Sequence, residues 1–98
     1  MWTKVALAAG VFAAAAGVGH ASQQLPPAFL SPDGQAAFNA YLASPVGKAF
    51  AAEPTGGFGW ASGYERIDTA RKEALASCQR ANPNKACAII SVDGQVAQ

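Results

Sequence analysis

KAFAAEPTGGFGWASG, residues 48–63, is the stretch on which the fold turns. It holds two short runs with aromatic residues, Lys48–Glu53 and Phe58–Ser62. Between them lies Pro54-Thr55-Gly56-Gly57, a combination that ends strands and supplies turn geometry. The stretch therefore predicts a β-hairpin with a four-residue loop. Phe58 and Trp60 are two apart, so both side chains project to one face of the second strand. Gly59 and Ala61 leave the other face nearly bare, so another element can lie close against it.

Ser62-Gly63-Tyr64 leads into the strongest helical pattern of the chain, from about Asp68 to Arg80. Asp68 is the expected N-cap, and Ala70, Ala74, Leu75, Cys78 and Ala81 form one apolar stripe. Arg71 interrupts that stripe between Leu75 and Cys78, near a helix start where the dipole disfavours a cation. It is read as snorkelling along the core edge. Pairing with Glu53 or Asp93, or presentation to an anionic partner, are the alternatives. Asn82-Pro83-Asn84 stops the helix, because proline removes a donor from the ladder. Cys87, Ile89, Ile90 and Val92 then predict a mostly buried strand that ends in an Asp93-Gly94 turn.

Upstream of the hairpin, Ala37, Phe38, Tyr41 and Leu42 share one helical face. A short helix is expected from Asp33, capped by Asp33 or Ser31 and closed by Pro45. Residues 22–32, SQQLPPAFLSP, are proline-rich and read as an extended linker. The first 21 residues have the pattern of a signal peptide: Lys4, an apolar run from Val5 to Val18, and Gly19-His20-Ala21 as a small-residue cleavage site. As a helix that run reaches about 21 Å, against roughly 30 Å of bilayer hydrocarbon. Export to the periplasm or beyond is therefore expected, with no membrane span after cleavage.

Residues 33–98 are then a single small α+β domain. A short antiparallel sheet, made of the hairpin and a C-terminal strand, is packed by a helix, preceded by a short helix and held by one disulfide. The disulfide is expected between Cys78 and Cys87, the only two cysteines. A helix end and a strand start, joined by a reversal, bring their sulfurs together. Their spacing is not that of a C-x-x-C redox motif. A cross-link over a loop of about ten residues is worth roughly 2.7 kcal/mol, which matters in a domain below about 80 residues. Free or intermolecular thiols are the alternative.

The inventory narrows function further. His20, the only histidine, lies in the segment expected to be removed, which excludes histidine acid–base chemistry and histidine metal sites from the mature chain. No metal and no cofactor is expected. Without Lys4 the remaining Lys and Arg balance the 6 Asp and Glu, so nucleic acid is not an expected partner. Glu53, Glu65 and Asp68 are candidates for carboxylate chemistry, but strand-end, loop and capping roles account for them. Phe58, Trp60 and Tyr64 serve either as core or as an aromatic platform.

KAFA, GGFGWASGY, the A-x-x-x-A-L-x-x-C pattern of Ala70, Ala74, Leu75 and Cys78, and Cys87 with IISVDG resemble small exported proteobacterial proteins known only as domains of unknown function. The resemblance covers Lys48 to Gly94. It implies a hairpin, a helix and a strand cysteine-paired to the helix's last turn, and it brings no activity. The function expected is a non-enzymatic periplasmic binding or interaction module. Phe58, Trp60, Tyr64 and Arg71 are its candidate surface, offered to a protein, a peptide or a cell-wall glycan. A small carboxylate-dependent hydrolase and a thiol redox accessory protein are the alternatives.

Overall fold

The structure, a computed structural model, describes residues 23–97; the expected signal peptide and its cleavage site lie outside them. Two helices and four strands follow in the order α1 (Pro32–Leu42), β1 (Ala49–Ala52), β2 (Phe58–Ala61), α2 (Ile67–Ala81), β3 (Ala88–Val92) and β4 (Gln95–Val96). The sheet is antiparallel with the order β2-β1-β3-β4, so the chain is an α+β domain as its sequence predicts. The hairpin is formed, with Ala52 opposite Phe58 and Ala49 opposite Ala61. Its first strand becomes central because β3 returns to pair on its other side.

Side chains alternate across β1 and give the sheet two unlike faces. On the first, Phe50 and Ala52 pack with Leu30, Phe38 and Tyr41 from the α1 layer, joined by half-buried Phe58, Trp60 and Ile90. The Phe38 ring meets Phe50 edge-on at 4.8 Å, and Phe58 stacks on Phe50 at 5.8 Å. On the second, Ala49 and Ala51 pack with Ala70, Ala74 and Cys78 of α2, flanked by Leu75, Cys87 and Ile89. Gly59 explains how close α2 comes, since a Cβ there would lie 2.6 Å from the Cys78 Cα. The bare face predicted for β2 is the seat of this helix.

Between Phe50 and Ala51 the pairing with β3 shifts register, from Ser91 to Ile89, and Ile90 is the residue passed over. This bulge lets Ile90 join the aromatic face. Strand β3 is less buried than its apolar sequence implies. Ile89 and Ile90 are half-buried and Ser91 is fully buried, because its hydroxyl bonds the Tyr41 hydroxyl at 2.8 Å. The Gly94 N–H donates to the same Tyr41 oxygen at 3.0 Å, so one phenol ties α1 to the β3–β4 turn. Asp93 and Gly94 both have positive φ, 49° and 81°, the geometry of a two-residue Asp-Gly hairpin. That turn continues into β4, a strand the sequence reading did not contain.

The helix ends show which capping expectations hold. Ser31 caps α1, its Oγ accepting from Gly34 N at 3.1 Å, with Pro32 as the first helical residue. Leu30, in the stretch read as a linker, is buried against Phe38, Tyr41 and Phe50. In α2, Asp68 is not the N-cap. The helix begins one residue earlier, at Ile67, and Arg66 holds the cap position without a side-chain bond, so Asp68 sits inside the first turn. Asn82 closes α2, its N–H donating to Cys78 O at 2.9 Å. Lys48 is only 5% exposed, and its ammonium donates to the carbonyls of Leu42 and Ser44, both at 2.8 Å, at the end of α1. Burial pushes the Lys48 pKa below its ordinary value, and nearby Asp93 opposes that shift.

Candidate functional site

The outer edge of β2 lies open to a groove between the two helices. The ladder defines which backbone groups it presents. Asp93 N donates to Lys48 O at 2.9 Å, so even-numbered residues of β1 turn their backbone groups to β3. Glu53 N donates to Gly57 O at 2.9 Å, so the odd-numbered ones address β2 and engage Gly57, Gly59 and Ala61. The N–H and C=O of Phe58 and Trp60 consequently point away from β1, toward the sheet edge.

That edge is the floor of a groove of about 440 Å³, lined on the strand by Gly57, Phe58, Gly59 and Trp60. Ser31 and Asp33 of the α1 start form one wall, and Ser77, Ala81 and Asn82 of the α2 end form the other. The α1 wall is bonded to the hairpin loop, and the α2 wall packs beside it. Ser31 N donates to Gly56 O at 3.3 Å, and the Asn82 amide oxygen fills the space a Cβ on Gly57 would need while its Nδ2 donates to Cys78 O at 2.8 Å. The loop is fixed in turn by Glu53, which is 3% exposed. Its carboxylate accepts from Thr55 N and Thr55 Oγ1, both at 2.6 Å, and from Gly57 N at 2.9 Å. The Thr55 hydroxyl and amide hold the Glu53 carboxyl below its ordinary pKa; Gly57 N–H and the Lys85 charge act in the same sense, against the effect of burial.

The four surface candidates from the sequence separate. Phe58 and Trp60 both line the groove and pack on the aromatic core, Trp60 meeting Tyr41 edge-on at 6.1 Å. Tyr64 is exposed beyond the far end of β2, where its N–H donates to Gly47 O at 3.0 Å. Arg71 stands half-buried on α2, across the sheet from the Phe58 and Trp60 rings. The partners considered for it are engaged elsewhere: Glu53 by the loop, and Asp93 by the amides of Gly47 and Lys48 at 2.7 and 3.1 Å. Ser31, Asp33, Ser77 and Ala81 are groove residues that the sequence reading did not single out for a surface. Their only sequence signals were caps and helical faces.

The carboxylates considered for hydrolysis do not converge. Glu53 sits at the loop end of the hairpin, whereas Glu65 and Asp68 follow its opposite end. No group of three or more His, Cys, Asp or Glu capable of holding a metal occurs among the described residues. Cys78 and Cys87 form a disulfide, with their Cα atoms 6.2 Å apart. Cys78 is fully buried and Cys87 half-buried. No helix of the described residues is long and apolar enough to cross a membrane. Comparison with protein-family models, curated proteins and solved structures finds no match to the chain.

Proposed function

We propose that this chain is an exported, non-enzymatic binding module that takes up an extended polypeptide along β2. The observation that carries this reading is the open edge itself. Four backbone hydrogen-bonding groups, two on Phe58 and two on Trp60, face a groove whose walls are already held in place. An extended peptide entering such a groove adds a strand: main-chain bonds supply affinity and alternate side chains supply selectivity. Export rests on the amino-terminal pattern of Lys4, the apolar run and Ala21, and a disulfide is compatible with an oxidising compartment.

Selection of displayed random peptides against the exported chain, followed by amide hydrogen exchange with a selected peptide bound, tests this reading. Exchange is expected to slow at Phe58 and Trp60 and to stay unchanged at Gly59, whose amide already belongs to the ladder. Selected peptides that bind without slowing exchange at Phe58 and Trp60 would overturn it.

A further inference from the structure

Resting on that reading, we infer that the occupant of the β2 groove is a single extended segment in which a basic side chain alternates with small ones. The two walls set this pattern. Side chains of an added strand point alternately to the two faces of the sheet. Those on the α1 side meet the Phe58 and Trp60 rings and Asp33; those on the other side meet Ser77, Ala81 and Asn82 of α2.

On the α1 side, Asp33 is the one charged side chain lining the groove, and its carboxylate is exposed. A lysine or arginine stem lying along the rings places its head at that carboxylate, with the ring faces adding attraction for the cation. The opposite wall is the end of α2, where the helix carbonyls carry partial negative charge. Arg80, the base of that last turn, is exposed and does not line the groove. The start of α1 carries the opposite partial charge, which the full charge of Asp33 outweighs, so the groove as a whole favours a positive occupant.

On the α2 side there is little depth. The helix already lies against Gly59 closely enough to exclude a Cβ, and the groove residues it contributes are short. Glycine, alanine or serine fits there, and a branched or long apolar side chain does not. The same geometry disfavours a second copy of this chain. α2 makes its most extensive contact with the edge strand β2 and so lies over it. A second sheet edge paired with its helix on the same face would set the two helices about 4.8 Å apart, closer than the roughly 8–10 Å that packed helices need.

The test uses the intact, disulfide-bonded chain and three acetylated, amidated heptapeptides. The first alternates alanine with lysine and valine, the second replaces lysine by glutamate, and the third replaces the alanines by leucine. By fluorescence anisotropy of labelled peptides, the lysine peptide is expected to bind about tenfold tighter than either of the others. Asp33→Asn should reduce the lysine-over-glutamate preference to about threefold or less, and Asp33→Glu should restore it. Equal binding of the lysine and glutamate peptides, or a preference that survives Asp33→Asn, overturns the charge assignment. If those peptides still slow amide exchange at Phe58 and Trp60, strand addition stands without it. Absence of protection with every peptide overturns both. Sedimentation showing a dimer whose interface protects Phe58 and Trp60 identifies a second copy as the occupant and overturns the inference.

Discussion

On one side of β1, Phe50 sits among Phe38, Tyr41 and Phe58; on the other, Ala49 and Ala51 face Ala70, Ala74 and the backbone beside Gly59. The first layer is held by ring volume, with centroids 4.8 to 6.1 Å apart. The second is held by proximity, since small residues on both partners let a helix approach a sheet almost backbone to backbone. A four-residue strand serves both because its side chains alternate. The two faces should therefore fail in opposite ways: the aromatic face when something is removed, and the alanine face when something is added.

Truncation of the aromatic face gives the largest expected effect. Phe38→Ala should destabilise the domain by about 4 kcal/mol, as a fully buried ring is lost from a layer with no spare atoms to fill the gap. Denaturant midpoints measure it, and a loss below about 1 kcal/mol would show that α1 is an appendage rather than half of the core. Enlargement of the other face comes next. Gly59→Ala should cost about 3 kcal/mol, because the new methyl meets the backbone of Cys78 rather than a side chain that can move aside. A neutral result would mean that α2 stands further off and that the faces differ only in composition.

The smallest effect concerns the loop that joins the two faces at the hairpin tip. The Glu53 carboxyl titrates below its ordinary value of 4.5 in the folded chain. Its contribution is complete above the unfolded value and is lost as pH falls through the folded one. Stability should therefore decline below about pH 4.5, and Glu53→Gln should flatten that decline in urea titrations across the acid range. An unchanged slope would place the loop's stability in Thr55 and the glycines alone.

Local signals in the sequence carried much of this fold. Aromatics two apart placed Phe58 and Trp60 on one face, Gly59 marked the close approach, and Asn82-Pro83 marked the helix stop with a cysteine on each side. Features set by distant partners were not legible. Nothing local says that β3 pairs with β1, which makes β1 central and β2 an edge. Asp68 looked like a cap because it precedes the apolar stripe, yet the helix starts at Ile67. The groove was the least visible part. Its walls, Ser31 with Asp33 and Ser77 with Asn82, are far apart in the chain and meet only across the edge of the finished sheet.

Cys78 lies against Gly59 while its sulfur is bound to Cys87, and this has a consequence for how such a chain can change over generations. The cross-link tethers α2 to the start of β3, which restrains the helix from backing away to admit a larger residue in β2. Losing the sulfurs would cost stability yet leave the spacing usable, whereas bulk at position 59 meets a helix that the tether keeps from relaxing. The energetic effects of changes at positions 59, 78 and 87 are therefore coupled: bulk at 59 is tolerated better where the cysteines have gone.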